Sequence, residues 1–183
     1  HGPGRFGVLV LETHRQTLVM NNQLGKVLLF KGGDPISWIV KKQSRSIYSH
    51  AALLIPGTKT CIESYPGSGV RLRQLTAKDW ESIDMYNVRG MTPEMWASAI
   101  DFAHKQLGMS YDWLSVLRFV NKRPARENAK WFCSELVHKA ISEAGIRILE
   151  RIPSAEVAPA HLAISPLLVC ASDEPETVIM PTI

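Results

Sequence analysis

The chain has 183 residues, 45% of them hydrophobic and 21% charged, and its 21 Lys and Arg against 17 Asp and Glu leave a formal charge of +4. That balance excludes wholesale disorder and collagen-like repetition, fits a single domain, and is too small an excess to call for a specific nucleic-acid partner. No apolar stretch is long enough to span a bilayer, and three scattered cysteines with no C-x-x-C or H-x-x-x-H pair suggest neither a disulfide scaffold nor a structural zinc site. No metal and no cofactor is expected.

His1-Gly2-Pro3-Gly4 carries no Met, and the apolar run Phe6 to Leu11 is too short for a secretory core. Residues 1–19 are therefore expected to be an artificial or disordered leader, with one domain over 20–183. Without a visible export signal, a cytoplasmic location or delivery by a partner-assisted route is expected.

Val27 to Phe30 reads as a strand stopped by Gly32-Gly33-Asp34-Pro35. Ile36 to Val40, with Trp38, leads into the basic stretch 41–45. Ala51 to Ile55 is a continuous apolar run, the pattern of a strand covered on both faces, and Pro56-Gly57 turns it toward a second strand over Thr60 to Tyr65. Val70 to Leu75 alternates weakly, setting Val70, Leu72 and Gln74 against Arg71, Arg73 and Leu75. Ser82 to Val88 is a further strand.

Thr92-Pro93-Glu94 then gives an N-cap, a proline at the first helical position and an acid in the first turn. Trp96, Ile100, Ala103 and Leu107 keep helical spacing up to Gly108. Asp112 to Val120 predicts a short helix, with Trp113 on its apolar side, and Asn121 to Lys130 a polar loop carrying Lys122, Arg123, Arg126 and Lys130. Cys133, Leu136, Val137, Ala140, Ile141 and Ala144 mark the strongest helix, ended by Gly145. Pro153, Pro159, Pro166 and Pro175 punctuate an irregular tail with one strand at Leu167 to Cys170.

Cys133 opens that strongest helix, so its sulfur lies near unsatisfied backbone N–H groups, a setting that favours the nucleophilic thiolate. The competing reading is a small buried hydrophobe on the apolar stripe. His50, at the mouth of an apolar strand, is placed to act as a base toward a thiol. Glu63, across the expected hairpin, can accept a bond from the far ring nitrogen of His50. An acid inside Cys61-Ile62-Glu63-Ser64 would otherwise be odd in a strand, though an edge strand could tolerate it. Ser134 with His138 has no acid behind it and is expected to be solvated or packed. Glu135 with Lys139 is an ordinary surface pair, and Cys61 is structural. His14, His104 and His161 show no partners. The basic stretches 41–45 and 122–130 are either solvated loops or the border of a cleft for an anionic substrate.

The ordered set Tyr48-Ser49-His50-Ala51-Ala52-Leu53-Leu54-Ile55, Ile62-Glu63-Ser64, Gly69-Val70, Leu107-Gly108-x-x-Tyr111-Asp112-Trp113 and Phe132-Cys133-Ser134-Glu135-Leu136-Val137 with Gly145 resembles the circularly permuted branch of the NlpC-like papain-fold cysteine hydrolases, including the YiiX/YebB-like group. Val157-Ala158-Pro159-Ala160-His161-Leu162 and Ser165-Pro166 extend the resemblance over about residues 24 to 170. It implies an α+β fold of papain-like, permuted topology: a small, mainly antiparallel sheet or partial barrel packed against helices. It makes Cys133 the nucleophile, His50 the base and Glu63 the residue that orients the base. It places Tyr111 beside the nucleophile, as an oxyanion donor or as a packing residue. The implied activity is that of a cysteine peptidase or amidase, forming a thioester acyl-enzyme on a cell-wall (peptidoglycan) peptide. The alternatives are a lipid acyl hydrolase or acyltransferase, with Trp38, Leu53 or Trp113 lining an acyl pocket, and a non-catalytic binding or assembly module.

Overall fold

The computed structural model describes residues 24–32, 45–112 and 130–171. Residues 1–19, Trp38 and most of the first basic stretch, Trp113 and the helix expected after Asp112, and Lys122, Arg123 and Arg126 lie outside the described residues. The described residues contain eight strands: β1 (Lys26–Phe30), β2 (His50–Leu54), β3 (Thr60–Tyr65), β4 (Gly69–Gln74), β5 (Ile83–Val88), β6 (Ser110–Tyr111), β7 (Lys130–Trp131) and β8 (Leu168–Cys170). Four helices accompany them: α1 (Ala77–Trp80), α2 (Pro93–Lys105), α3 (Cys133–Glu143) and α4 (Pro159–Ala163).

Six strands form one antiparallel sheet in the order β4-β3-β2-β1-β5-β8. The class is α+β, as expected, and among the described residues the sheet stays open, with β4 and β8 as its edges. The hairpin from β2 to β3 pairs Leu53 with Ile62 and Leu54 with Cys61. β6 and β7 form a separate parallel pair, Ser110 with Lys130 and Tyr111 with Trp131, which the sequence pattern did not anticipate.

Strand parity divides the core in two. Val27, Leu29, Ala51, Leu53 and Ile62 pack with Trp96, Ala99 and Ala103 of α2 and Leu136, Val137, Ala140 and Ile141 of α3. Leu28, Phe30, Ala52 and Cys61 form a smaller cluster on the other face with Leu75, Trp80 and Ile83. Ala51, Ala52 and Leu53 are all fully buried, so the apolar run of β2 is covered on both faces. Each large aliphatic side chain buried in this way contributes about 1.5–3 kcal/mol of transfer free energy. Leu53 lies wholly inside the main core, which removes it as the lining of an acyl pocket.

α2 starts as its sequence predicts: the Thr92 hydroxyl accepts from Met95 N at 3.3 Å, and Pro93 follows. The short helices were not foreseen, although both carry start signals. Asp79 accepts from Thr76 N and Thr76 Oγ1, both at 2.7 Å, as in a Thr-x-x-Asp capping box. Pro159 begins α4, and His161 Nδ1 accepts from Ala158 N at 3.1 Å, which gives that histidine a partner after all. The tail also holds a turn of 3-10 helix, Ser154–Glu156.

Candidate active site

Three elements meet at one end of the sheet: the start of β2, the end of β3 and the N-terminus of α3. His50 is the first residue of β2. Its approach is held by Ser49 N, which donates to the Phe30 carbonyl at 2.9 Å. The imidazole lies between two rings, Phe30 at 5.1 Å and a tilt of 57° and Tyr65 at 5.7 Å and nearly edge-on. Nε2 is 2.8 Å from Glu63 Oε2. The Cys133 side chain is the other group that acts on the His50 imidazole, favouring its charged form. With Nε2 turned to Glu63, the nitrogen left for sulfur is Nδ1. The structure thus brings His50 together with both Glu63 and Cys133.

Glu63 is fully buried, and β3 is an interior strand, where an acid without partners would be out of place. Its charge is tolerated because it is surrounded by cations. Arg71 donates to Oε1 from Nε at 2.9 Å and from Nη2 at 2.8 Å, and Arg73 Nε lies 3.5 Å from Oε2. Burial alone would raise the Glu63 pKa, but His50, Arg71 and Arg73 outweigh it and hold the carboxyl down at about 2. Burial also opposes charge on His50. Cys133 and the Glu63 carboxylate overcome that and raise the imidazole to about 9. Cys61, one turn of the pleat before Glu63, is pushed up to about 12 by burial and by the Glu63 charge, in keeping with a structural role.

Cys133 occupies the first position of α3, where backbone N–H groups lack acceptors within the helix. Its approach is fixed from the sheet side: Ser64 Oγ donates 2.7 Å to the Trp131 carbonyl, and Asp112 N donates to the same oxygen at 3.1 Å. Tyr111 is buried in a cluster with Phe132 and Cys133, its ring 5.9 Å from that of Phe132. The strand that carries it is docked on β4 by Val70 N to the Met109 carbonyl and Gly108 N to the Val70 carbonyl, both 2.9 Å. This docking needs Gly69. Its φ is +69°, and a Cβ there would stand 2.1 Å from the Met109 oxygen.

The other candidates fall outside this centre. Ser134 Oγ donates to the Val157 carbonyl and His138 Nδ1 meets Ser154 Oγ at 2.8 Å, so both are packed residues. Glu135 does not pair with Lys139. Its carboxylate accepts from Phe132 N at 3.3 Å across the first turn of α3, and Lys139 pairs with Glu143 at 2.8 Å. The residues missed from sequence are Arg71, Arg73, Phe30 and Tyr65. The signal was present in the alternation: Arg71-x-Arg73 is antiparallel to Cys61-x-Glu63, and the register sets Glu63 opposite Arg71.

No family model and no curated protein matches the sequence. Among solved structures, YiiX of Escherichia coli O157:H7, described as a metalloprotein of DUF1105, matches with a TM-score of 0.65 at 19% identity, over 83% of this chain and 97% of that one. Among the described residues here, no three His, Cys, Asp or Glu side chains are grouped to hold a metal ion. At the candidate site both oxygens of Glu63 are already taken, Oε1 by Arg71 and Oε2 by His50 with Arg73 close by, so this carboxylate does not fit a metal ligand. What the two proteins share is the fold: this chain has the architecture of YiiX.

Proposed function

We propose that the chain is a papain-like cysteine hydrolase of NlpC type with circularly permuted topology, cleaving an amide through a thioester on Cys133. The observation that supports it most is the His50 ring lying between a cysteine at a helix N-terminus and a buried, charge-compensated carboxylate. In the unpermuted relatives the cysteine helix precedes the histidine strand; here β2 precedes α3. The Cys133 sulfur adds to the substrate carbonyl as its proton passes to His50. The C–N bond then breaks and the amine leaves with the proton from His50. Water adds to the thioester with His50 taking its proton, and the acid and free thiol are released. The oxyanion is met by the Cys133 backbone N–H, with Tyr111 beside it. Glu63 keeps the imidazole oriented and stabilises its charged form.

Cell-wall stem peptide is the proposed substrate, on the resemblance of the ordered motif set. The test is mass spectrometry of the intact protein after incubation with stem peptides and, separately, with phospholipid vesicles. A peptidyl adduct on Cys133 with release of the amine is the expected result. A fatty-acyl adduct would move the assignment to lipid acyl transfer. No adduct and no turnover with either would leave a binding module and overturn the hydrolase reading.

A further inference from the structure

The negative charge that serves His50 is itself held from β4. Arg71, directly opposite Glu63, places two N–H groups on Oε1 and donates from Nη1 to Ser68 Oγ at 3.1 Å. Its guanidinium carbon is 4.4 Å from the centre of the Tyr65 ring, and Tyr65 is the edge-on neighbour of His50. Arg73 repeats the pattern on the opposite side. Its Nε lies 3.5 Å from Oε2 and its Nη2 donates to Asp79 at 3.1 Å. Its guanidinium carbon is 5.1 Å from the centre of the Phe30 ring, the other wall of the His50 slot. Each arginine therefore touches Glu63 and one of the two rings between which the imidazole sits.

We propose that Arg71 is a positioning residue of this site, orienting His50 toward Cys133 through Glu63, with Arg73 as its weaker counterpart. This deepens the hydrolase reading and rests on it only in taking His50 to serve Cys133. Two N–H groups on Oε1 stop the buried carboxylate from turning and leave Oε2 as the acceptor for Nε2. A lysine cannot substitute. One compact ammonium cannot hold Oε1, reach Ser68 and lie flat on Tyr65 at once. The groups facing Glu63 and His50 are Arg71 and Arg73 from β4, Cys133 from α3 and Cys61 from β3, with Asp79 behind Arg73.

The test is the rate of Cys133 alkylation by iodoacetamide near neutral pH, which needs no substrate, for the full chain and for Arg71→Lys and Arg71→Gln. Circular dichroism is recorded to confirm folding. Both variants should react about tenfold more slowly or worse, since a hydrogen bond to a charged group is worth at least that factor, and lysine should not rescue. A wild-type rate in Arg71→Lys would mean that charge alone suffices, and would overturn the positioning role. A wild-type rate in Arg71→Gln would overturn any role. Should loss of the arginine prevent folding, Glu63→Gln and Glu63→Gln/Arg71→Leu decide, because there the buried charge is removed together with its partner. If Arg71 acts through Glu63, the double variant reacts no more slowly than the single one, and a further tenfold loss would overturn the proposal. The comparison stands whether or not an acyl substrate is turned over, so the two readings fail separately.

Discussion

His50 Nε2 lies 2.8 Å from Glu63 Oε2, and this one contact decides how the rest of the site is read. It commits one ring nitrogen to a buried acceptor and leaves the other for Cys133. The imidazole becomes a bridge whose charge is governed from both ends, with the thiol as the larger of the two influences that raise it. Removing the sulfur should therefore be felt at the histidine. In Cys133→Ala the His50 titration should fall from about 9 by at least about one unit, because burial then opposes the charge with only Glu63 to offset it. Imidazole proton NMR across pH measures this directly, and an unchanged midpoint would rule out the contact.

Stability should have a maximum in mildly acidic solution. The Glu63 carboxyl is held near 2 against an ordinary 4.5, so its contribution is complete above the ordinary value and disappears as the pH falls through the folded one. Its size is on the order of 3 kcal/mol. His50 has the opposite sign. Raised from 6.5 to about 9, it contributes fully below 6.5 and is lost as the pH climbs through 9. Because the two groups titrate as a pair, their contributions do not simply add. Urea midpoints should peak between the ordinary values of the two groups and decline on both sides; a flat profile up to alkaline pH would contradict the His50 assignment.

Replacing Glu63 by Gln removes the anion shared by His50, Arg71 and Arg73. The protein should lose about 3–5 kcal/mol of stability, the usual result of stripping one partner from a buried ionic cluster. On a confirmed substrate, turnover should drop less than in Cys133→Ala or His50→Ala, since Gln preserves shape but not charge. Chemical denaturation and steady-state kinetics on the same preparation check both parts, and full stability with full turnover would deny Glu63 its role.

The three thiols should label very unequally. Cys61 is fully buried beside Glu63 and is raised to about 12, so near neutral pH it has almost no thiolate to react. Cys133, with His50 beside it, should take up iodoacetamide first, and Cys61 only once the protein unfolds. Peptide mapping of a time course settles the order; equal labelling of Cys61 and Cys133 in the folded protein would sink the nucleophile assignment.

Much of this was legible in the sequence because the decisive signals are local. The apolar run after His50, the break at Pro56-Gly57 and the thirteen-residue spacing to Glu63 specify a hairpin that brings the pair together, and a cysteine after Trp131-Phe132 specifies the helix start. What stayed hidden depends on register between strands and on short elements. Arg71 and Arg73 look like the solvent face of a weak strand until the pairing with β3 turns that face toward a buried carboxylate. Glu135 and Lys139 have ideal helical spacing, yet Glu135 lies in the first turn, where an unpaired backbone N–H is nearer than the lysine. The parallel contact of β6 with β7 joins segments far apart in the chain, and no periodicity within either could announce it.

Gly69 should be irreplaceable for a reason that reaches the active site. Its φ of +69° is one that side chains rarely adopt, and a Cβ at that position would come within 2.1 Å of the Met109 carbonyl oxygen. That oxygen accepts from Val70 N and belongs to the segment that leads into Tyr111, so it cannot retreat without moving the tyrosine away from Cys133 and Phe132. Gly69→Ala should cost about 1–3 kcal/mol from backbone strain, with the close contact adding to it. The two ends of the effect can be read independently. Denaturant titration reports the strain, and the alkylation rate of Cys133 with the fold intact reports whether the neighbourhood of Tyr111 has shifted. Both should change together, whereas Gly67→Ala, at a positive φ but with open space around it, should lose stability alone. Equal alkylation rates in all three proteins would show that the docking of β6 on β4 does not set the geometry around Cys133.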